Sequence, residues 1–155
     1  MRIERVTEHD LEALLPLVRS YCDFYRVSPA DEALHALART LIDDPVHEGV
    51  QLLARDDAGA AVGFATVYWT WDTLLGERIG VMHDLFVAPA ARGSGLAEDL
   101  IAACRAECRS RGAARLTWQT ARDNHRARAV YERVGAERDE WLDYSLPAGD
   151  DGVGE

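Results

Sequence analysis

The sequence predicts a single α/β (α+β) domain, with a central mixed, mostly antiparallel sheet and helices on both faces. Helical periodicity occupies residues 11–44, period-two alternation occupies 50–87, and a helix–strand–helix–strand pattern follows. A chain of 155 residues with 48% hydrophobic side chains has the length and composition of one globular domain. We expect residues 1–146 to form the domain and the glycine-rich, acidic residues 147–155 to be a disordered tail.

The N-terminal third predicts one short strand followed by two helices. Residues 2–6 are a candidate edge strand, and apolar residues then recur at helical spacing over residues 11–25. Pro16 lies inside this run and removes one backbone donor, so we expect a kink there. Ser28-Pro29 is a typical helix start, and Asp44-Pro45 ends that second helix.

The middle of the chain predicts three strands. Val50–Arg55 and Ala61–Trp71 are joined by a short turn, and Arg78–Val87 follows a second turn. Short connections favour antiparallel pairing. Alternation along the third strand places Val81, His83, Leu85 and Val87 on one face and Met82, Asp84 and Phe86 on the other. A bulge would change this division locally.

The remaining residues predict a crossover followed by a last helix and strand. A helix from about 93 to 111 leads to a strand at Leu116–Thr120, a helix at Asn124–Val134 and a strand at 137–146. Because the first helix connects two strands of one sheet, Arg78–Val87 and Leu116–Thr120 should be parallel.

The net charge of −10 is unevenly distributed, because residues 105–138 hold nine arginines against four acids and the rest is acidic. A nucleic-acid partner would need a basic face, so we expect none. No apolar run approaches the ~20 residues of a membrane span, and we expect no membrane association. Three cysteines cannot all pair, and the first residues lack a signal peptide's apolar stretch, so a reducing cytoplasm is expected.

No metal site is expected. Cys104 and Cys108 lie one helical turn apart on an apolar stripe, but the sequence offers no further ligands beside them. Packing in the core is the better interpretation of this pair.

The stretch from Val87 to Ala97 carries the strongest functional signal. A strand ends at Pro89, and a loop containing Gly93 and Gly95 opens a helix. Unpaired N–H groups at such a helix start bind anions such as pyrophosphate, and glycines permit close approach. The chain has no Lys for a P-loop and no third glycine for the dinucleotide fingerprint.

The pattern Arg92-x-x-Gly95-x-Ala97 resembles the pyrophosphate loop of the GNAT acetyltransferase superfamily. That family places the loop after Val-x-Pro, here Val87 to Pro89, and follows it with an Asn seven residues before a Tyr, here Asn124 and Tyr131. The resemblance covers residues 1–146 and implies a GNAT fold with acetyl-CoA as co-substrate. It implies these co-substrate contacts: Leu85, Phe86, Val87, Arg92, Gly93, Ser94, Gly95, Leu96, Ala97, Asn124 and Tyr131.

The run from Gly63 to Val87 is also similar to the spermidine/spermine (diamine) and thialysine acetyltransferases. Those enzymes acetylate primary amines of small cationic molecules such as polyamines, diamines and amino-acid-like amines. The likeness implies such an acceptor here, and it implies a homodimer. Where those enzymes carry a proposed general base, a Glu before the strand's Asp, this chain has His83 before Asp84.

Two side chains are candidates for proton transfer. A His has an unperturbed pKa of about 6.5, which suits His83 to accept a proton from the amine, although the base can also lie elsewhere. By resemblance, Tyr131 would protonate the departing thiolate of CoA. A backbone N–H near Leu85–Val87 would stabilise the oxyanion, again by resemblance.

Four residues are candidates for binding the amine. Asp84 can orient it, and Trp71 with Asp72 can form an aromatic and acidic mouth, with Asp23 nearby. Ordinary packing or solvation explains Asp84 equally well, and it is the better interpretation of Trp71, Asp72 and Asp23. Acetylation of protein N-termini or lysines, and a non-catalytic acyl-CoA sensor, also remain open at this point.

Overall fold

The computed structural model describes residues 1–149, so most of the predicted tail at 147–155 lies outside the described residues. Short 3-10 turns at Glu8–Asp10 and Pro89–Ala91 accompany the regular elements. In chain order these elements are β1 Arg2–Arg5, α1 Leu11–Phe24, α2 Asp31–Asp43, β2 Gly49–Arg55, β3 Ala61–Asp72, β4 Glu77–Val87, α3 Leu96–Ser110, β5 Leu116–Thr117 and α4 His125–Arg133.

Within the described residues the strands form one sheet in the order β1-β2-β3-β4-β5. The first three pairings are antiparallel, and β4 pairs with β5 in parallel. The connection from β4 to β5 runs through α3, as the crossover rule requires. The predicted mixed sheet and its single parallel pair are confirmed.

Helices cover both faces of the sheet and bury one apolar cluster on each. On one face, α3 contributes Leu100 and Cys104, both without exposed surface, to a cluster with Val67 of β3. On the other face, Leu14 of α1 packs with Phe64 of β3 and their neighbours. Cys104 is thus a core side chain, as the sequence indicates, and its burial raises the pKa of its thiol to about 12.

A bulge in β4 changes which side chains share a face. Met82 lies opposite Val67 of β3 and Asp84 lies opposite Thr66, so His83 is an extra residue in the ladder. The extra residue reverses the alternation: Met82 packs in the α3 cluster, whereas Asp84 faces α1 and α2. The expectation that Met82 shares a face with Asp84 is therefore wrong, and the reason is the local bulge that the sequence left open.

The C-terminal strands are shorter than expected. The predicted strand Leu116–Thr120 reduces to β5, and residues 137–146 form no strand. Because β5 offers only two paired residues, a following strand has almost no edge to extend along. The segment passes beside β5, where Gln119 Nε2 donates to Asp143 Oδ1 at 2.6 Å. Its large side chains are exposed: Trp141, Leu142, Tyr144 and Leu146.

The described residues contain neither a helix that could span a membrane nor a cluster of potential metal ligands. No helix there is long and apolar enough to cross a bilayer. No group of three or more His, Cys, Asp or Glu side chains within residues 1–149 lies in an arrangement that could ligate a metal ion.

Candidate active site

β4 and β5 pair at only two positions, in the first half of β4, and then separate. Their register consists of Gly80 with Leu116 and Val81 with Thr117. β4 nevertheless remains paired with β3 as far as Val87. Within the described residues, the other edge of β4 after Val81 therefore has no strand partner. Apart from the carbonyls of His83 and Val87, which accept from Tyr21 and Arg92, the backbone N–H and C=O groups of this edge are available to an extended ligand with amide groups of its own.

The loop after β4 leads into α3 through two glycines in left-handed conformations. Gly93 has φ +78° and Gly95, the N-cap of α3, has φ +82°. These conformations favour glycine, and they delay the helix to Leu96, whereas the sequence indicated a start near residue 93. No side chain caps α3, so its first N–H groups remain open to an anion.

Polar side chains brace this loop against the end of β4. Arg92 Nε donates to the carbonyl oxygen of Val87 at 3.1 Å, and Ser94 Oγ donates to that of Ala91 at 2.7 Å. The Arg92 guanidinium is thereby held at the end of β4, and its residue precedes the start of α3 by four positions. Leu96 is 1% exposed, so only its backbone can contact a ligand.

The donors at this site fit an acyl-CoA co-substrate. The start of α3 and Arg92 supply N–H donors and positive charge for a pyrophosphate, and the open edge of β4 matches an amide-bearing chain. Space above Gly93 and Gly95 is open, because a Cβ built on either would meet nothing within 4 Å. The Arg92–Ala97 loop and the edge of β4 would hold the two parts of this molecule.

α4 places Asn124 and Tyr131 on the α3 side of the sheet. Asn124 caps the helix, since its Oδ1 accepts from Ala127 N at 3.3 Å. Tyr131 is half-buried and packs edge-on against Trp118, with ring centroids 5.3 Å apart. Burial, with a smaller contribution from the Tyr25 phenol, raises the pKa of Tyr131. Tyr131 therefore stays protonated at neutral pH and retains a proton to donate.

An ion pair fixes α4 to the start of α3. Arg133 Nε and an η nitrogen both donate to Glu98 Oε1, at 3.0 and 2.7 Å. These bonds lower the pKa of Glu98. The same two bonds join α4, which carries Tyr131, to the first turn of α3, where the Arg92–Ala97 loop ends.

A cavity of about 180 Å³ lies between α1, α2 and the sheet and reaches the bulge of β4. We call it the α1–α2 cavity. Its wall includes His83 and Asp84, and most of the remainder is aliphatic. The aliphatic lining comprises Leu11, Leu14, Leu15, Val18, Leu34, Leu37 and Ala38.

Asp84 dominates the electrostatics of this cavity. Its side chain is 16% exposed. Burial first, and then the charge of Asp84, raise the pKa of Tyr21 and raise that of Tyr68 to about 12. The same two causes raise the pKa of the Cys22 thiol. These three groups are neutral near pH 7, which leaves the Asp84 carboxylate as the negative charge of the cavity wall.

His83 lies at the exposed side of the same bulge. Its side chain is 66% exposed, and its Nδ1 is 3.4 Å from Asp84 Oδ1. Its ring centroid is 5.5 Å from that of Tyr68, and its backbone carbonyl accepts from the Tyr21 hydroxyl at 3.3 Å. The imidazole is therefore in contact both with solvent and with the carboxylate.

The structure separates the other acidic candidates from this cavity. Asp72 lies at the turn after β3, where its Oδ1 accepts from Leu74 N at 2.9 Å, and Trp71 beside it is 65% exposed. Six residues of strand separate Asp72 from Thr66, which is about 20 Å. Asp23 is exposed near the end of α1. None of these three lines the α1–α2 cavity.

Tyr21 and Gln51 also line this cavity, and no sequence pattern indicated either of them. Gln51, Thr66 and Asp84 lie in one row across three strands, and Gln51 Nε2 donates to Thr66 Oγ1 at 3.2 Å. A buried polar row within an apolar layer is a signal of function. The row could have been recognised from polar residues at inward-facing positions of adjacent strands, but Asp84 joins it only because of the bulge.

Known proteins resemble this chain both in sequence and in fold. The family model described as the acetyltransferase (GNAT) family matches residues 14–136. The chain belongs to the GNAT acetyltransferase family. An uncharacterised N-acetyltransferase of Bacillus subtilis strain 168, YhfO, is 34% identical over 139 residues, covering 90% of this chain and 91% of YhfO.

Two further GNAT proteins have similar coverage. The D-amino-acid N-acetyltransferase HPA3 of Saccharomyces cerevisiae is 29% identical over 90% of this chain and 87% of its own. A crystal structure of a probable acetyltransferase superposes with a TM-score of 0.84 at 29% identity, covering 97% of this chain and all of the other. The protein is accordingly an N-acetyltransferase, and enzymes of its family use acetyl-CoA as co-substrate.

Proposed function

We propose that this GNAT enzyme acetylates the primary amine of a small cationic molecule bound in the α1–α2 cavity. One observation carries the proposal: His83 and Asp84 line the cavity and also lie on the part of β4 whose outer edge is open. An amine beside Asp84 and an extended co-substrate along that edge would meet at the bulge. A polyamine, a diamine and an amino-acid-like amine all belong to this acceptor class.

Asp84 is assigned to binding the acceptor. Its carboxylate lies in a largely apolar cavity, where an ion pair with an ammonium is stronger than in water. The name of the yeast relative describes an enzyme that acetylates an amino acid, and it supports a small primary amine here. The likeness of residues 63–87 to the polyamine and thialysine enzymes supports the same class.

His83 is assigned as the general base. The bound amine arrives as an ammonium and must lose a proton before its nitrogen can attack. His83 accepts that proton directly or through water and passes it to solvent, with which its side chain is in contact. The adjacent Asp84 stabilises the imidazolium that results.

Tyr131 is assigned as the general acid. Acetyl-CoA supplies the thioester: the amine nitrogen forms a bond to its carbonyl carbon, and the carbon–sulfur bond breaks. Backbone N–H groups near Leu85–Val87 hold the carbonyl oxygen as it gains charge. Tyr131 gives its phenolic proton to the sulfur and recovers one from water as the product amide loses its second proton. The balance is ammonium plus thioester giving amide, thiol and one proton released to solvent.

Thiol release from acetyl-CoA tests the proposal. The assay compares small amines, amino acids, aminoglycosides and peptides as acceptors, and calorimetry measures CoA binding separately. Amine-dependent thiol release with small primary amines is the expected result. CoA binding without transfer to any acceptor would indicate a sensor, and selective transfer to peptides would indicate a protein acetyltransferase.

We also propose that the enzyme is a homodimer. Trp141, Leu142, Tyr144 and Leu146 expose aromatic and aliphatic surface along one extended segment. Exposed apolar surface of this extent is typical of an interaction surface. Light scattering should give about twice the 17.2 kDa of one chain, and a mass near 17 kDa would contradict the dimer.

A further inference from the structure

We infer that the natural acceptor is a monoamine, a molecule with one ammonium group on an apolar aliphatic or aromatic body. This inference rests on the proposed function and narrows it, because it excludes polyamines and diamines as good substrates. It follows from the distribution of charge and apolar surface along the α1–α2 cavity.

The cavity has one site for a cation. Among the described residues that line it, Asp84 alone carries a carboxylate. The other polar groups of the lining are the Tyr21 and Tyr68 phenols, the Cys22 thiol, the Gln51 amide and the imidazoles of His35 and His83. None of these carries a negative charge near neutral pH, so the cavity offers one carboxylate, that of Asp84, to pair with one ammonium.

The cavity becomes aliphatic away from Asp84. Tyr21 marks the Asp84 end, since its hydroxyl donates to the backbone carbonyl of the adjacent residue, His83. Leu14 and Leu11 precede Tyr21 by seven and ten residues on α1, which corresponds to about 10 and 15 Å along a helix. Leu34 and Leu37 of α2 line the other side, together with the imidazole of His35. An acceptor held at Asp84 therefore extends its body into aliphatic surroundings.

A second ammonium has no carboxylate to pair with among the described residues of the lining, where His35 and Gln51 offer only neutral acceptors. Placing an unpaired charge against aliphatic side chains costs several kcal/mol, because the charge loses water without gaining a counterion. An apolar body gains about 0.8 kcal/mol for each buried CH₂ instead. At about 180 Å³ the cavity is also below the roughly 300–1,000 Å³ of drug-sized ligand sites, which suits a small molecule.

Two amines of equal length test the charge requirement. Hexylamine and 1,6-diaminohexane share a six-carbon chain and differ by one ammonium group, so their kcat/KM ratio isolates its effect. We expect kcat/KM for hexylamine to exceed that for 1,6-diaminohexane at least tenfold, with 2-phenylethylamine also acetylated and spermidine a poor acceptor. A ratio near one, a preference for the diamine, or transfer to neither compound would overturn the inference.

A variant of Leu37 provides the reciprocal test. Leu37 lines the cavity but is 38% exposed, so a polar residue is tolerated there without unfolding the core. Leu37→Asp adds a second carboxylate and should shift the ratio toward the diamine at least fivefold. Leu37→Asn has nearly the same shape without the charge and should leave the ratio near that of the native enzyme. Equal shifts in both variants would contradict a charge-based preference.

Failure of the inference and failure of the proposed function give different results. If diamines or spermidine are acetylated as well as hexylamine, the enzyme is still a small-amine acetyltransferase and only the monoamine preference is wrong. If no small amine supports thiol release while CoA binds, the proposed function itself is wrong and the inference is wrong with it.

Discussion

Replacing Tyr131 with Phe tests the assignment of the general acid. The substitution removes one hydroxyl group and keeps the ring that packs edge-on against Trp118 at 5.3 Å. The fold and the Arg92–Ala97 loop should therefore be unaffected. Since burial raises the pKa of Tyr131, the native phenol holds its proton throughout the neutral range, and the variant has no replacement donor at this position.

The expected loss is a reduction of kcat by ten- to a hundredfold. General acid catalysis contributes roughly 10²–10⁴-fold. We expect a loss at or below the lower limit of that range, because a thiol with a pKa of about 8.5 is a tolerable leaving group even as the thiolate. Ten- to a hundredfold corresponds to about 1.4–2.7 kcal/mol in the activation free energy.

Steady-state thiol release and calorimetry together measure this effect. Turnover should fall, whereas the Kd for acetyl-CoA should stay within about twofold of the native value. Tyr144→Phe, in the exposed segment 137–146, is a matched control that should not change kcat. Unchanged turnover in Tyr131→Phe would refute the acid assignment. A large loss of acetyl-CoA affinity would instead indicate a binding role.

Three further substitutions test the acceptor site, the loop and the packing of α1. Asp84→Asn should raise KM for the amine by roughly 10- to 100-fold, because hydrogen bonds to charged groups contribute about 1.5–3 kcal/mol, with CoA affinity unchanged in calorimetry. An unchanged KM would show that Asp84 does not bind the acceptor. Gly95→Ala should weaken CoA binding up to about tenfold, because φ is +82° and a left-handed Ala costs roughly 1–2 kcal/mol although its Cβ meets no atom. If Gly95→Ala bound CoA with the native affinity, the left-handed conformation of residue 95 would not be needed for CoA binding. Asp10→Asn should lower the free energy of unfolding by about 1 kcal/mol at pH 7. Burial alone would raise the pKa of Asp10, but bonds from Arg55 and Thr7 outweigh burial and lower it. Its stabilisation is therefore present above the unfolded pKa of about 3.9 and is lost as pH falls through the lower folded pKa. Chemical denaturation from pH 7 to pH 2.5 should show the two proteins converging, and a constant difference would argue against the ionic contribution.

Local features of the chain predicted most of the secondary structure. The apolar stripe of α1 and that of α3 follow from 3.6-residue spacing, and the strands β2 and β3 follow from alternation and turn residues. The Arg92–Ala97 loop was also predictable, because its glycines and the helix start depend on backbone conformation over a few residues. Family membership could be inferred from that short segment and from the positions of Asn124 and Tyr131.

The acceptor site was less predictable because it depends on contacts between distant segments. Asp84 and His83 were identified from their place in the strand, but Asp72, Trp71 and Asp23 were chosen only for their chemistry. The structure places Asp72 and Trp71 at the far turn of the β3–β4 hairpin. Tyr21 was overlooked, because only the packing of α1 on the sheet brings its hydroxyl to the backbone of His83.

The sequence by itself determined the fold class, the loop for the co-substrate and the family, because each depends on local periodicity or on a short contiguous motif. Only the tertiary structure decided the bulge at His83, the early separation of β4 from β5 and the absence of a strand at 137–146. These features depend on strand register, and register is set by pairing between segments far apart in the chain. One extra residue in β4 directs Asp84 into the α1–α2 cavity rather than toward α3.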